Sequence, residues 1–252
     1  MAYDHARLRY PPRIYEILTT RCGLRSGAVV FEIGPGTGIA TRELLRRGAN
    51  PIHLIEPDRR LLRYLLNTLG ARADRVRTLM VPFERATLPA GSFDLGVAAT
   101  SFHWLPERLA LRKVARALKP GGWWAAWNNH YGDSHRPSPF HQAIQPLYQE
   151  LSGGRVVWPY TKTSAKRERT HRSHSLEAIG AFDRIRREDV RWNVTLNTAG
   201  VTALWGTFSE ILTLPAQRRE WFLSELERTA DEQFDSRVTI PILTPIYTAR
   251  RT

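Results

Sequence analysis

Residues 29–40 read VVFEIGPGTGIA, an apolar run that contains one acid and then passes into three alternating glycines. β-Branched and aromatic residues before a glycine-rich turn predict a strand that leads into a helix, the arrangement with which open parallel sheets hold nucleotide-like ligands. Glycine in such a turn lets the backbone come close to a ligand, because no Cβ intervenes. This stretch therefore predicts an α/β fold with a ligand loop after its first strand.

The segments around this loop alternate between strands and helices. Strands are predicted at 28–33, 52–57, 76–81, 93–100 and 123–128, and helices at 12–22, 41–48, 59–70 and 106–118. Continuous apolar strands that are separated by amphipathic segments favour a parallel sheet with helices on both faces. The turn at 119–122, Lys-Pro-Gly-Gly, is expected to separate the last of these helices from the strand that follows.

Beyond residue 130 the regular alternation stops. Residues 1–130 are the expected core domain with an N-terminal helix, 131–188 a variable cap or insert, and 189–252 a C-terminal part that completes sheet and cap. The last part contains predicted strands at 189–197 and 239–250 and predicted helices at 201–212 and 218–230. The predicted fold is thus a Rossmann-like, doubly wound, mostly parallel seven-stranded sheet with an inserted and C-terminal helical cap.

The composition of the chain indicates in which compartment it works and which partners it can have. A chain of 252 residues with 42% hydrophobic residues can bury a sizeable core. No stretch approaches the roughly 20 apolar residues of a membrane span, and the N-terminus lacks the apolar block of a signal peptide. A single cysteine, Cys22, excludes an internal disulfide and a cysteine-based zinc site. We therefore expect a cytoplasmic protein with no membrane partner.

The net charge of +13 leaves nucleic acid open as a partner, although it is the less favoured one. Nearly all of the basic residues are arginine, a bias that a GC-rich coding background also produces. One basic cluster stands out at 162–174, where only Glu168 opposes the positive charge. This stretch fits either a surface loop or a dock for an acidic partner.

The spacing of the glycines distinguishes between possible ligands of the loop. Gly34, Gly36 and Gly38 give the pattern G-x-G-x-G, with Ile39 where a dinucleotide fingerprint has glycine. The lysine of a phosphate-binding P-loop is missing as well. The loop therefore does not match the usual patterns for holding a pyrophosphate or a triphosphate.

Two acids indicate the chemistry of the ligand instead. Glu32, two residues before the first glycine, would repel a phosphate but suits a ligand that carries an ammonium group. Glu56 ends the second predicted strand, where an acid can accept hydrogen bonds from ribose hydroxyls. A ribose and an amino-acid ammonium without phosphate describe S-adenosylmethionine (SAM).

Four ordered stretches extend this pattern. EIGPGTGIAT (32–41), IEPD (55–58), FERATLPAGSFDLGVAATSFHWL (83–105) and LKPGGWWAAWN (118–128) resemble the successive motifs of class I SAM-dependent methyltransferases. The resemblance is greatest to the type-11 small-molecule branch, with His103 and Trp104 after the fourth strand, and covers roughly residues 5–130. It implies SAM as methyl donor, S-adenosylhomocysteine (SAH) as product, and a small molecule as acceptor.

The resemblance also implies roles for individual residues. Glu32 would hold the amino group of SAM, and its methionine part would pack on Gly34, Pro35, Gly36 and Thr37. The ribose would be bound by Glu56, and the adenine would be flanked by Pro57, Phe83 and Glu84. The sulfonium would lie near Thr100 and Ser101. Phe83 departs from the family, whose members usually have a small residue there. Tyr10, in a segment that partly matches an N-terminal family motif, would cover the cofactor and line the substrate pocket.

Methyl transfer is an in-line displacement that needs an aligned acceptor, the exclusion of water and, for some acceptors, a base. Histidine is the natural base near neutral pH. His103 is the first candidate, with Trp104 as an aromatic wall of the substrate pocket, and His130 is the second. No metal is expected, since the remaining candidates match no ligand spacing: His130, Asp133, His135 and His141.

The predicted function is SAM-dependent methyl transfer to an oxygen, nitrogen or carbon of a small metabolite or natural product. One alternative is a nucleic-acid methyltransferase, which the charge favours, although residues 100–103 are Thr-Ser-Phe-His rather than the Asn/Asp-Pro-Pro-aromatic box of base-amino enzymes. The other is a protein of the same fold that binds SAM without methyl transfer, for regulation or for a cyclisation. The sequence predicts no oligomeric state.

Overall fold

The computed structural model describes residues 6–133, 136, 138–152 and 172–252. The chain packs as two compact units, each built from separate stretches of sequence. Among the described residues, the first, here called the sheet unit, comprises 9–129, 172–190 and 244–252. The second, here called the helical unit, comprises 6–8, 130–133, 136, 138–152 and 191–243.

The first half of the chain forms a parallel sheet with connecting helices. Its strands are β1 (Val30–Ile33), β2 (Ile52–Ile55), β3 (Val76–Leu79), β4 (Phe93–Ala99) and β5 (Leu118–Trp127), and its helices are α1 (Pro12–Thr20), α2 (Ile39–Arg46), α3 (Arg59–Leu69) and α4 (Glu107–Ala117). The strands lie in the order β3-β2-β1-β4-β5, and every neighbouring pair is parallel. Because right-handed connections run in opposite directions from β1, helices cover both faces. The predicted α/β fold with a mostly parallel sheet is confirmed.

The second half adds longer strands and a group of helices. Its elements are β6 (His130–Tyr131), α5 (Pro139–Ala143), α6 (Gln145–Leu151), β7 (Phe182–Asn197), α7 (Thr198–Trp205), α8 (Ser209–Leu212), α9 (Ala216–Phe234) and β8 (Arg237–Arg251). Residues 172–179 are also helical. Residues 246–250 of β8 pair antiparallel with β5, residues 242–243 pair with β6, and β7 also pairs with β8.

The described sheet contains eight strands rather than the predicted seven, because the two-residue β6 also joins it. The strand predicted at 123–128 begins earlier, at Leu118. Its pairing with β4 moves from Phe93↔Leu118 directly to Leu95↔Trp123, so residues 119–122 form an irregularity inside the strand instead of a turn before it. The helix predicted at 201–212 is likewise two helices, α7 and α8, because the chain leaves the helical conformation after Gly206, a poor helix former.

The sheet unit is centred on aromatic side chains from neighbouring strands. The ring of Phe31 on β1 meets the ring of Phe93 on β4 edge-on at 5.1 Å between centroids and stacks on Trp124 of β5 at 6.3 Å. All three side chains are buried. This packing holds β1, β4 and β5 against one another, and the candidate site residues follow the carboxyl ends of these strands.

The helical unit has its own apolar core. Phe140, Trp205 and Phe222 are buried there, and the indole N–H of Trp205 donates to the hydroxyl of Tyr148 at 3.0 Å. Burial lowers the pKa of His141 to about 4, so this histidine is neutral at physiological pH. No helix among the described residues is long and apolar enough to cross a membrane.

The long strands explain why the packing units differ from the predicted sequence ranges. β7 and β8 have 16 and 15 residues, and each contributes residues to both units. The predicted ranges 131–188 and 189–252 are therefore each divided between the units, whereas the boundary expected at residue 130 lies beside the observed one at 129/130. The assignment of these ranges as functional domains stays a prediction.

Candidate functional site

The glycine turn after β1 has three residues in the left-handed region. The φ angles of Gly34, Gly36 and Gly38 are +63°, +57° and +86°. A Cβ on Gly34 would lie 2.7 Å from Cβ of Ser101, and one on Gly38 would lie 2.0 Å from Cδ1 of Leu65. A Cβ on Gly36 would meet no described atom within 4 Å. Two glycines thus pack against the protein, while the third leaves open space beside the turn.

Glu32 brings a buried carboxylate to this turn. Its side chain is 1% exposed, and Oε2 accepts a hydrogen bond of 2.7 Å from the hydroxyl of Thr41 on α2. Oε1 is buried and has no hydrogen-bond partner among the described residues. Burial, assisted by the nearby charge of Glu56, raises the pKa of Glu32 to about 7. A buried carboxylate with one unused oxygen is costly on its own, and a ligand ammonium would offset that cost.

Glu56 follows β2 and braces the same turn. Its Oε2 accepts from the backbone N–H of Gly36 and its Oε1 from that of Asp58, both at 3.0 Å. Each carboxylate oxygen can accept a second hydrogen bond, so the side chain retains capacity for ligand hydroxyls. Asp58 in turn caps α3 by accepting from the N–H groups of Arg60 and Leu61.

The residues expected beside adenine lie in different surroundings. Pro57 and Glu84 are exposed. Phe83 is 3% exposed and belongs to the apolar core that also contains Ile33 and Ile55. Lys113 Nζ lies 5.0 Å from the centroid of the Phe83 ring and donates to the carbonyl oxygens of Phe83 and Glu84. An adenine contact of Phe83 therefore stays a prediction, beside its observed part in the core.

The end of β4 is tied to the end of β1 and to the N-terminal segment. The hydroxyl of Ser101 donates to the carbonyl oxygen of Ile33. Thr100 has a φ of +58°, and its Oγ1 shares a hydrogen bond of 2.8 Å with the hydroxyl of Tyr10. The Tyr10 ring lies edge-on to Trp127 at 5.7 Å. The structure thus places Tyr10 beside Thr100 at the end of β4, and the cofactor roles of Tyr10, Thr100 and Ser101 stay predictions.

A pocket of about 220 Å³ opens at the ends of β4 and β5 within the sheet unit. The residues that line it are Thr100, Ser101, Phe102, His103, Ala126, Trp127, Asn128, Arg172 and Tyr247. His103 is exposed at this pocket, whereas Trp104 is 75% exposed and is not one of its lining residues. His130 belongs to the helical unit, where it pairs with Leu243.

Six lining residues were absent from the sequence-based site: Phe102, Ala126, Trp127, Asn128, Arg172 and Tyr247. Asn128 follows β5, so the rule that ligands bind at the carboxyl ends of parallel strands could have indicated it. Arg172 and Tyr247 come from distant parts of the chain, and no local motif marks either of them. Only the folded chain brings these two residues to the pocket.

Other candidates can be placed only in part. The described residues contain no group of three or more His, Cys, Asp or Glu side chains that could hold a metal ion, and His135 lies outside them. The basic stretch 162–174 lies outside the described residues except for 172–174. The carboxylate of Asp133 accepts hydrogen bonds from Arg136 and Arg191 at 3.0 Å each, so arginines are the partners that the structure gives it.

Comparisons with known proteins find methyltransferases. A family model described as a methyltransferase domain matches residues 31–126. An uncharacterized methyltransferase of Mycobacterium tuberculosis is 31% identical over 121 residues, which are 48% of this chain and 46% of that relative. The ribosomal RNA small subunit methyltransferase A of Deinococcus radiodurans is 41% identical over 151 residues, 54% of this chain and 47% of that protein. The chain thus spans about half the length of the curated relatives it matches.

A solved structure from Anaeromyxobacter dehalogenans, described as a type II methyltransferase, superposes with a TM-score of 0.66 at 21% identity. The superposition covers 97% of each chain and shows the shared fold. The matched family model spans β1 to β5, from the glycine turn to the strand that carries Trp127. Residues 31–126 are thus similar to a methyltransferase domain, and the chain shares its fold with a solved methyltransferase structure.

Proposed function

We propose that this protein transfers the methyl group of SAM to a small-molecule acceptor. The observation that carries the proposal is the buried Oε1 of Glu32, which has no partner among the described residues and lies in a strand that leads into the glycine turn. Beside it, Gly36 leaves open space at a left-handed backbone position. A carboxylate with an unused oxygen and a turn with room for a ligand fit the amino-acid end of SAM.

The remaining contacts extend this fit along the cofactor. Glu56, braced by the N–H groups of Gly36 and Asp58, is placed to accept from the two ribose hydroxyls. Pro57 and Glu84, both exposed, are proposed for the adenine end. Thr100 and Ser101 are proposed for the sulfonium end, since they line the pocket beyond the turn. Bound SAM supplies a methyl group that is activated by the positive sulfur.

The protein's part in the reaction is orientation and the exclusion of water. The Tyr10–Thr100 hydrogen bond of 2.8 Å ties the N-terminal segment to the end of β4. Phe102, Trp127 and Tyr247 supply aromatic surface to the pocket. An in-line displacement gains most from such fixed geometry, because the nucleophile must lie opposite the sulfur. His103 lines the pocket and is the proposed group for removing a proton from an acceptor that must lose one.

The pocket supports a small acceptor over a polymer. Its lining combines the aromatic rings of Phe102, Trp127 and Tyr247 with small and polar side chains, a mixture typical of small-molecule sites. The similarity to a ribosomal RNA methyltransferase and the net charge of +13 favour RNA as the second candidate. We also propose the cytoplasm as the compartment, because a single buried cysteine, Cys22, gives the chain no internal disulfide.

The test begins with titration of purified protein with SAH in a calorimeter. We expect one site with micromolar affinity. The protein is then incubated with SAM that carries a labelled methyl group, either with a small-molecule fraction of cell extract or with ribosomal RNA. Label should enter the small-molecule fraction. Label in the RNA alone would show that the acceptor is RNA and not a small molecule. A folded protein that does not bind SAH would refute the whole proposal. SAH binding with no label in either arm would favour the alternative of binding without methyl transfer.

His103→Ala separates a catalytic histidine from one that only shapes the pocket. A general base contributes about 10²- to 10⁴-fold, so we expect kcat for the labelled acceptor to fall at least 100-fold while the affinity for SAH stays unchanged. His130→Ala is the matched comparison, because His130 is the other candidate for the catalytic base and belongs to the helical unit. Unchanged turnover in His103→Ala would remove this residue from the mechanism.

A further inference from the structure

Helix α4 presents a row of arginines on its exposed side. Arg108, Arg112 and Arg116 are all exposed, whereas the apolar side of the helix is buried in the sheet unit. The arginines are four residues apart, so they lie on one side of the helix, about 6 Å apart along its axis. We propose that this arginine row and the exposed ring of Trp104, just before the helix, bind single-stranded RNA. None of these residues lines the pocket, so RNA would bind here whichever acceptor is methylated.

The guanidinium groups of the arginine row are not neutralised by neighbouring side chains. No ion pair or hydrogen bond joins Arg108, Arg112 or Arg116 to another residue in the described part of the chain. The helix has one acid, Glu107, in its first turn. Like charges four residues apart destabilise a helix, because they repel each other. A phosphodiester backbone, itself a row of negative charges, would compensate this repulsion and would release its own counterions on binding.

The charges around the helix add to the row. Lys113, also on α4, donates from Nζ to the carbonyl oxygen of Glu84 at 3.0 Å, and the exposed side chains of Glu84 and Arg85 balance each other in charge. The described residues of the sheet unit contain 25 Lys or Arg against 13 Asp or Glu, whereas those of the helical unit contain 7 against 9. The positive charge of the described chain thus belongs to the unit that carries the arginine row.

Trp104 supplies aromatic surface next to the row. It is 75% exposed, and Leu109 on α4 is 65% exposed, so two of the four exposed large hydrophobic side chains among the described residues are close in sequence. Isolated exposed apolar residues are normal, but adjacent ones mark interaction surfaces. The Cα atoms of Trp104 and Arg108 are at most about 14 Å apart, because four residues separate them. An aromatic ring beside a row of positive charge is how proteins hold unpaired bases and the phosphates between them.

The exposed ring favours single-stranded RNA over other acidic partners. An acidic peptide pairs with arginines but has no base that could stack on Trp104. The bases of a duplex are stacked on one another, so their faces are not accessible. Loops and ends of RNA present unstacked bases, which proteins bind by stacking them on aromatic side chains.

The test measures binding of a fluorescent twelve-nucleotide oligouridine by anisotropy at 50, 100 and 200 mM salt. Replacing Arg108, Arg112 and Arg116 together with glutamine should weaken binding at least tenfold at 50 mM salt. It should also reduce the slope of log affinity against log salt by about 2, since each phosphate contact with a single strand contributes about 0.7. Trp104→Ala should weaken binding about 5- to 100-fold with an unchanged slope, because stacking on a base releases no counterions. Trp104→Phe should retain most of the affinity.

Replacing Arg63, Arg72 and Arg237 together with glutamine is the matched control, because it removes three exposed charges outside α4. This control should change RNA affinity less than threefold. Circular dichroism reports folding of every variant, and SAH affinity, which reports the proposed function separately, should be the same in all of them. RNA binding by a protein that does not bind SAH would therefore refute the proposed function and leave the RNA surface standing.

Four results would overturn the RNA surface. The first is wild-type protein that does not bind oligouridine. The second is equal weakening by the two triple variants, which would assign binding to net charge alone. The third is a duplex RNA that binds as tightly as oligouridine, since its bases cannot stack on Trp104. The fourth is unchanged RNA affinity in Trp104→Ala together with equally tight binding of polyglutamate, which would assign the arginine row to an acidic protein.

Discussion

Glu32→Gln is expected to weaken SAH binding by about 100-fold and, at the same time, to stabilise the protein without ligand at pH 8. The loss of affinity follows from removing a buried charge that faces a ligand ammonium, which costs about 2–5 kcal/mol at such sites. The hydrogen bond from the hydroxyl of Thr41, 2.7 Å in the wild type, can be kept by the amide oxygen. The substitution therefore changes the charge with little change in shape.

The gain in stability follows from the raised pKa of Glu32. Its pKa is about 7 in the folded protein, against an ordinary value of 4.5. Between these values the folded state holds a proton that the unfolded state has lost, so wild-type stability falls as the pH rises from about 4.5 to about 7. The fall amounts to about 3 kcal/mol and is complete above the folded pKa. Glutamine does not titrate, so the variant lacks this decrease.

Urea unfolding at pH 4.5, 6 and 8 measures this difference, since other carboxyl groups contribute alike to both proteins. The free energy of unfolding of the variant should increase relative to that of the wild type from pH 4.5 to pH 8. Glu227→Gln, which makes the same change at an exposed position, should alter neither unfolding nor SAH binding. Equal SAH affinity in Glu32→Gln and wild type would show that the ligand ammonium binds elsewhere. A stability difference that does not vary with pH would contradict the raised pKa.

The cofactor end of the site could be predicted because its signals are local in sequence. The glycines at 34, 36 and 38 follow directly on a strand, and Glu32 precedes them within the same strand. The parallel order of β1 to β5 then determines which ends meet. What the sequence could not show is that Oε1 of Glu32 lacks a partner, because this depends on every group packed around it.

The acceptor end could be predicted only in part, because its residues are far apart in sequence. His103 follows β4 and was found from its motif, but Arg172 and Tyr247 reach the pocket through tertiary packing. The early start of β5 has a similar cause. Lys119-Pro120-Gly121-Gly122 looks like a turn by local preference, yet pairing of Leu118 with Phe93 extends the strand across it. Tertiary contacts outweigh local propensity at these positions.

Gly36→Ala is expected to reduce SAH affinity by at least 100-fold with only a modest loss of stability. Gly36 has a φ of +57°, so alanine costs about 1–2 kcal/mol through backbone strain. The new methyl group meets no described protein atom within 4 Å. It would instead occupy space that we assign to the methionine part of the cofactor, and a packed ligand cannot shift without losing its other contacts.

Gly91→Ala is the matched control for this substitution. Gly91 has a φ of +59°, and a Cβ there also meets no described atom within 4 Å, but it lies in the turn before β4, away from the glycine loop. Both variants should lose a similar free energy of unfolding, whereas only Gly36→Ala should lose SAH binding in the calorimeter. Wild-type SAH affinity in both variants would mean that the open space at Gly36 is not where the cofactor lies. A loss of affinity in both would assign the effect to backbone strain rather than to the occupied space.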